Sequence, residues 1–177
     1  MTGRRAVLAI GANLGDRLGT LQACVNAIDR LPDTDVLAIS PVYQTAPVGG
    51  PPQPDYLNAV LAVATGLGPG ELLAAAHAIE ARAGRVREVR FGPRTLDVDI
   101  ISYSGEVSDD PVLTLPHPRA HERAFVLAPW LDIDPEATLP GWGPVRALLA
   151  GLDAGGIRRQ PGMVLLRPPG GPAAEGR

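Results

Sequence analysis

The chain contains no lysine: each of its 16 basic residues is an arginine. Several mechanisms are thereby excluded, because P-loop enzymes and protein kinases use a lysine on the phosphates and Schiff-base enzymes need a primary amine. A genome-wide preference for arginine, in a chain that is also rich in glycine and proline, is the simplest cause of the bias. A phosphate group that binds to this protein must therefore be bound by arginine, backbone amides or a metal ion.

Cysteine is almost absent as well, since Cys24 is the only one in 177 residues. A single cysteine excludes an intrachain disulfide and a cysteine-rich zinc site. Cys24 falls on the apolar face of a predicted helix, so we expect it to be a core residue. His117 and His121 are four positions apart, but Pro118 lies between them and no third histidine or cysteine is near, which argues against zinc.

Aromatic residues make up only 4% of the chain, and the net charge is −3. This composition argues against a module that stacks bases or binds nucleic acid nonspecifically. No apolar run reaches the roughly 18 residues that span a bilayer, and the N-terminal apolar stretch is too short for a secretory signal. We therefore expect a cytoplasmic monomer that binds small molecules, with no nucleic acid or membrane partner.

Periodicity and turn residues predict the element order β-α-β-β-α-β. Strand patterns cover residues 5–10, about 35–45, 56–65 and the stretch LDVDI, and helical patterns cover residues 16–31 and 70–83. The strands at 35–45 and 56–65 should pair antiparallel across the loop between them. This order is typical of the ferredoxin-like α+β fold, in which an antiparallel sheet carries both helices on one face. The other face would then be free for ligands.

The C-terminal part adds further elements to this core. Residues 104–160 contain an extended piece and two predicted helices, at 120–131 and near 144–151. We expect one domain over residues 1–160, followed by a Pro/Gly-rich extension, residues 161–177, whose last ten residues are mobile.

The stretch FGPRTLDVDI, residues 91–100, places two acids on a short apolar strand. Side chains alternate along a strand, so Asp97 and Asp99 share one face while the apolar residues beside them share the other. At an effective dielectric near 20, two carboxylates about 6 Å apart repel by roughly 3 kcal/mol, and a shared cation would remove that cost. A magnesium ion suits the pair, because magnesium takes few carboxylates and completes its shell with water and phosphate oxygens.

An arginine-rich segment directly precedes this strand. It contains Arg82, Arg85, Arg87, Arg90 and Arg94. A solvated surface is the usual fate of such a run, but the flanking glycines would let the segment close over an anion. We favour a site for a nucleotide polyphosphate, with two magnesium ions aligning the attacking and leaving oxygens for in-line transfer.

The segment TAPVGGPPQPDYLN is a second long loop, which is unusual inside a compact domain unless it binds a ligand. Tyr56 and Asn58 follow it on alternate positions of one strand face, where they could stack on and hydrogen-bond a flat heterocycle. The earlier segment GANLGD lacks the third glycine of a dinucleotide fingerprint, so we interpret it as a turn, with Asn13 or Asp16 capping the next helix.

Taken together, several stretches resemble the 6-hydroxymethyl-7,8-dihydropterin pyrophosphokinase family of folate biosynthesis in their order and spacing. They are AIGANLGD, SPVYQTAPVG, QPDYLNAV, GRVREVRFGPRTLDVDI and PHPRAHERAFVLAPW, and the resemblance covers about residues 5–160. It implies an ATP-dependent transferase that moves the terminal pyrophosphate of ATP to the pterin hydroxymethyl oxygen and releases AMP. Phe91 stands where the family often has tryptophan, and Pro118 where tyrosine can occur.

The resemblance also implies a role for each matching position. Asp97 and Asp99 would bind two magnesium ions, and Arg85 and Arg94 would stabilise the transferring phosphates. The positions that would hold the nucleotide are His77, Glu80, Arg87, Phe91, Ile100, Thr114, His117 and Arg123. The positions that would hold the pterin are Thr45, Ala46, Val48, Tyr56, Asn58 and Phe125, with the aromatic pair sandwiching the ring.

Two other functions remain open from the residues. One is a ferredoxin-like binding module without catalysis, although the sheet lacks the aromatic run on which such an RNA module stacks bases. The other is a two-metal nucleotidyl transferase, which would release pyrophosphate rather than AMP. The general base is also open, because Asp99, the nearest candidate, would already be a metal ligand.

Overall fold

The computed structural model describes residues 3–47, 49–84 and 95–169. The strands are β1 (Arg4–Ala12), β2 (Thr34–Ile39), β3 (Tyr43–Thr45), β4 (Tyr56–Thr65), β5 (Asp97–Tyr103), β6 (Thr138–Leu139), β7 (Gly143–Pro144) and β8 (Ile157–Arg159). The helices are α1 (Arg17–Asp29), α2 (Pro69–Arg82), α3 (Ala124–Ile133) and α4 (Val145–Ala150). The predicted helix at 120–131 is in fact a 3₁₀ turn, Ala120–Glu122, followed by α3.

The main sheet has the strand order β5-β1-β4-β3-β8, and β2 also pairs with β4. Every pairing in it is antiparallel, including those of β2 and β3 with β4 across the Pro/Gly-rich loop. The ferredoxin-like α+β prediction is therefore confirmed. The strand β8 and a separate hairpin, β6-β7, are the additional C-terminal elements.

The predicted strand at 35–45 is divided into β2 and β3. Pro41 has no amide hydrogen to contribute to a ladder, so a continuous strand would lose a bond there. The neighbouring Ser40 compensates on both sides: its amide donates to the Val60 carbonyl at 2.9 Å, and its hydroxyl accepts from the Val60 amide at 2.8 Å. The chain then re-enters the sheet at Tyr43, displaced along β4.

Helices α1 and α2 cover the first face of the sheet, as predicted. The buried positions of α1 recur at helical spacing and are Leu21, Cys24, Val25 and Ile28. They pack against alternate residues of β1 and β4, among them Leu8, Ile10 and Leu61. Asp16 is the N-cap of α1, since its carboxylate accepts from the Gly19 amide at 3.0 Å.

The expectation that the second face is free for ligands is wrong for part of it. Helices α3 and α4 cover the region where β1, β4 and β5 present Val7, Val60 and Ile101. Val126, Leu127 and Trp130 of α3 form the opposing surface. The sequence pattern did not reveal this layer because α3 is apolar nearly all round. No helix in the described ranges is long and apolar enough to cross a membrane.

Carboxylates of the two long helices accept hydrogen bonds from backbone amides on two strands of the sheet. Asp29 at the end of α1 accepts from the Val36 amide of β2 at 2.9 Å, and Glu80 of α2 accepts from the Val98 amide of β5 at 2.9 Å. An unpaired buried amide costs about 1–3 kcal/mol, so these contacts stabilise both helix-to-strand connections.

The first part of the predicted C-terminal extension packs on α1. Leu165 is 8% exposed and belongs to the first-face core. Gln22 of α1 forms two hydrogen bonds to Leu166, donating to its carbonyl at 2.9 Å and accepting from its amide at 2.7 Å. The prediction of a mobile tail concerns residues 168–177, which lie almost wholly outside the described residues.

Burial of Cys24 leads to a testable prediction. Desolvation, and secondarily the charge of Glu80, raises the pKa of the Cys24 thiol to about 12. At pH 8 about one thiol in ten thousand would be ionised, so folded protein should not react with Ellman's reagent, whereas protein unfolded in guanidinium should show one thiol per chain. Rapid stoichiometric labelling of the folded protein would contradict the core placement.

Candidate active site

A pocket opens on the uncovered part of the second face, beside α3. We call it the central pocket. The strands contribute Gly11, Thr45, Tyr56, Asn58, Asp97 and Asp99, and the loop before β4 contributes Ala46, Pro47 and Gln53. Arg123 and Phe125, at the start of α3, complete the wall on the opposite layer.

A second pocket lies between α2, β5 and the segment after β5, and we call it the outer pocket. His77 and Glu80 line it from α2, Ile100 from β5, and Thr114 and His117 from the following segment. Asp97 and Asp99 line both pockets. The two carboxylates therefore stand at the boundary between two adjoining binding spaces.

The structure brings together most of the residues that the sequence singled out. The central pocket contains the predicted pterin positions Thr45, Ala46, Tyr56, Asn58 and Phe125. The outer pocket contains the predicted nucleotide positions His77, Glu80, Ile100, Thr114 and His117, whereas Arg123 lines the central pocket. Val48, Arg85, Arg87, Phe91 and Arg94 lie outside the described residues.

Strand β5 shows the predicted alternation. Val98 and Ile100 are 2% and 4% exposed and belong to the first-face core, while Asp97 and Asp99 face the pockets. In the described ranges no group of three or more histidine, cysteine or acidic side chains gathers as a metal cage. A metal ion held by two carboxylates, with water and phosphate oxygens as its other ligands, fits the preferences of magnesium.

Two basic side chains approach Asp99. A guanidinium nitrogen of Arg123 lies 3.6 Å from its Oδ2, and Nε2 of His117 lies 3.9 Å from the same oxygen. Arg123 also lies over the ring of Phe125, with 5.6 Å between the guanidinium carbon and the ring centroid. The arginine thus connects the carboxylate edge of the pocket to its aromatic wall.

His117 is held in one orientation and one protonation state. Burial, and then the charge of Arg123, lowers the pKa of His117 to about 4, so the imidazole is neutral at pH 7. Its Nδ1 accepts from the Arg119 amide at 3.1 Å, which assigns the ring proton to Nε2. His117 therefore offers an N–H donor at the carboxylates without adding a charge.

The polar edge of the central pocket is made by Asn58 and Thr45. Nδ2 of Asn58 donates to Oγ1 of Thr45 at 2.9 Å, and the two residues are 7% and 8% exposed. The amide oxygen faces Gly11, where an added Cβ would lie 3.0 Å from it. Sequence reasoning missed Gly11, although a glycine within a strand is a known sign of close approach.

The loop before β4 is anchored by a residue for which we expected only a role in a turn or as a helix cap. Asn13 is 1% exposed and donates to Oε1 of Gln53 at 2.9 Å and to the Pro54 carbonyl at 3.0 Å. Arg17 adds a bond to the Asp55 carbonyl at 2.9 Å. These contacts fix the end of the loop just before Tyr56, and they place Gln53 in the pocket wall.

Comparisons with known proteins show the family to which the chain belongs. The family model described as 7,8-dihydro-6-hydroxymethylpterin-pyrophosphokinase matches residues 7–135. The 2-amino-4-hydroxy-6-hydroxymethyldihydropteridine pyrophosphokinase of Pseudomonas aeruginosa is 43% identical over 159 residues, which cover 90% of this chain and 98% of the relative. The enzyme of the same name from Mycobacterium leprae is 49% identical over 146 residues, covering 76% and 74%.

Solved structures share the fold. A crystal structure of HPPK-DHPS in complex with substrates has a TM-score of 0.70 at 12% identity, and wild-type Plasmodium falciparum HPPK-DHPS has a TM-score of 0.64 at 14% identity. They match 90% and 84% of this chain but only 47% and 44% of their own chains, so this chain corresponds to less than half of each. The family match and the two relatives together show that the chain belongs to the 6-hydroxymethyl-7,8-dihydropterin pyrophosphokinase family.

Proposed function

We propose that the central pocket binds 6-hydroxymethyl-7,8-dihydropterin and that the outer pocket binds ATP. The chain is an ATP-dependent pyrophosphokinase of folate biosynthesis, as its family is. It transfers the terminal pyrophosphate of ATP to the hydroxymethyl group of the pterin and so releases AMP. The assignment of the two pockets rests on one observation: Asp97 and Asp99 line both of them.

The wall residues suit a flat, polar-edged heterocycle. Tyr56 and Phe125 provide aromatic surface from the two layers, and Asn58 and Thr45 provide hydrogen-bonding groups at one edge. Ala46 lines the same pocket, and its backbone is proposed to bind the pterin edge. A pterin held there would direct its hydroxymethyl oxygen towards the carboxylates, which orients the acceptor for transfer.

The charges around the carboxylates suit a polyphosphate. We propose that Asp97 and Asp99 hold two magnesium ions, which would neutralise the phosphates and polarise the phosphorus under attack. We propose that Arg123 and neutral His117, which lie 3.6 and 3.9 Å from Asp99, donate hydrogen bonds to phosphate oxygens. From the sequence, Arg85 and Arg94 are proposed to stabilise the charge that develops during transfer, and Arg87 and Phe91 to hold the nucleotide.

The product distinguishes this function from its alternatives. Incubation with magnesium, ATP and the hydroxymethyl pterin should yield AMP and the pterin pyrophosphate, separated by ion-exchange chromatography. A nucleotidyl transferase would instead release pyrophosphate, and a binding module would leave ATP intact. ADP, or no turnover at all, would refute the proposal. The expected cytoplasmic location and monomeric state stay predictions from the sequence.

Substitution of the carboxylates tests the metal assignment. Asp97→Ala and Asp99→Ala should each reduce AMP formation by roughly a thousandfold or more, because metal-held charge stabilisation is lost. Circular dichroism should stay unchanged, since Val98 and Ile100 still fill the core. Asp35→Ala, on strand β2 and outside both pockets, is the matched control and should retain full turnover. Turnover within tenfold of wild type in both pocket variants would exclude this role.

Gly11 provides a test of pterin placement. In Gly11→Ala the new methyl group would lie 3.0 Å from the Asn58 amide oxygen and must displace it. The loss of one well-aligned hydrogen bond, about 1.4 kcal/mol, should raise the KM for the pterin about tenfold while the KM for ATP stays within twofold. Gly70→Ala, in α2 with no atom within 4 Å of the added carbon, is the control. Equal changes in both KM values would contradict the assignment of the pocket.

A further inference from the structure

The two aromatic walls of the central pocket belong to different layers of the fold. Tyr56 begins β4 in the sheet, whereas Phe125 lies in the first turn of α3, which packs over the sheet. The width of the slot between them is therefore set by how α3 is seated on the sheet. Apolar packing under α3 is not directional, so a polar contact adds a directional constraint on the rotation and axial position of the helix.

A directional contact holds α3 to β3 two helical turns beyond Phe125. The Tyr43 hydroxyl donates to Oδ2 of Asp132, and a guanidinium nitrogen of Arg159 lies 2.5 Å from Oδ1 of the same carboxylate. Arg159 also lies over the Tyr43 ring, 5.7 Å from its centroid. Tyr43 is 8% exposed and the Asp132 side chain 23%, so this hydrogen bond is shielded from water on the tyrosine side. We call these three residues the α3 anchor.

The α3 anchor and the aromatic wall occupy the same face of the helix. Phe125 and Asp132 are seven residues apart, which is about two turns and roughly 10 Å along the axis. A fixed Asp132 therefore limits how far the face carrying Phe125 can turn or slide.

The α3 anchor is also directly connected to the polar edge of the pocket. Tyr43 pairs with Asn58 across β3 and β4, and it lies two residues before Thr45 on the same strand face. On its other side β3 pairs with β8, with Tyr43 opposite Arg159 and Thr45 opposite Ile157. The strand β8 lies beyond residues 7–135, which the family model matches, so C-terminal residues complete this part of the fold.

We propose that Tyr43, Asp132 and Arg159 are positioning residues for the pterin: by fixing α3 against β3, they set the separation of the aromatic walls relative to the Thr45–Asn58 edge. This inference rests on the proposed binding of the pterin in the central pocket. Tyr43 and Asp132 make the larger contribution to fixing α3, because the ion pair of the half-exposed Arg159 is screened by water.

The test compares two buried tyrosines on opposite faces of the sheet, each of which donates a hydrogen bond. Tyr43→Phe removes the hydroxyl that binds Asp132, while Tyr103→Phe removes a hydroxyl that donates to the Leu67 carbonyl at 2.6 Å on the opposite side of the sheet. Tyr43 is 8% exposed and Tyr103 1%, so each change removes a hydrogen bond that a buried tyrosine donates and should lower the melting temperature. Asp132→Asn and its control Asp29→Asn form a second matched pair.

Each variant is assayed for the KM of both substrates, and for the Kd of the pterin in the presence of magnesium and a non-hydrolysable ATP analogue. Tyr43→Phe and Asp132→Asn should raise the pterin KM and Kd about five- to twentyfold and leave the KM for ATP within twofold. Arg159→Gln should change the pterin values by less. The double variant of Tyr43 and Asp132 should raise the pterin Kd by less than the product of the two single effects, because both changes act on the same contact.

A purely structural α3 anchor predicts a different result. Suppose that Tyr43→Phe and Tyr103→Phe both lower the melting temperature, and that Tyr43→Phe changes the KM for the pterin no more than Tyr103→Phe does. The positioning role would then be overturned. Absence of AMP from wild-type protein would refute the proposed function instead, and the Kd comparison would then decide the role of the α3 anchor alone. Wild-type protein that fails to bind the pterin would overturn both.

Discussion

The site depends on a division of the sheet's second face into an apolar part and a polar part. Along β5 the residues on that face change from Asp97 and Asp99 to Ile101, and along β4 they change from Asn58 to Val60. The apolar ends lie beneath α3 and α4, and the polar ends line the pockets. The layer formed by α3 and α4 therefore buries the apolar part of this face and leaves the central pocket open at the edge of the layer. The central pocket is the uncovered remainder of a sheet face that is otherwise core.

The same strand that supports the first core carries the charges of the site. Val98 and Ile100 are buried beneath the helices, and the Val98 amide is bound by Glu80. A rigid backbone at this point fixes the spacing of the two carboxylates, which mutual repulsion would otherwise increase. Arg123 offsets part of that repulsion from the opposing layer, 3.6 Å from Asp99. Stability and chemistry are thus supplied by alternate residues of one short strand.

The sequence predicted the core of the fold because its strands and first two helices have clear periodicities and turn residues at their ends. It did not predict the layer over the second face, since α3 is apolar nearly all round, nor β8, which is three residues long with two exposed arginines. The pocket was predicted where chemistry is visible in the residue type, as at Tyr56, Asn58 and Asp97. Gly11 and Asn13 escaped because their roles come from contacts with residues about 40 positions or more away.

The two halves of the β-α-β-β-α-β core differ in the length of the connection from helix to strand. In the first half four residues, 30–33, connect α1 to β2, and in the second half fourteen residues, 83–96, connect α2 to β5. Both connections return to an equivalent contact, Asp29 with the Val36 amide and Glu80 with the Val98 amide. The first half thus reaches this contact through a short connection, whereas the second connection is ten residues longer. The longer connection contains four of the five arginines of the basic segment and leads directly to Asp97, a composition that supports the proposal that this segment binds an anion.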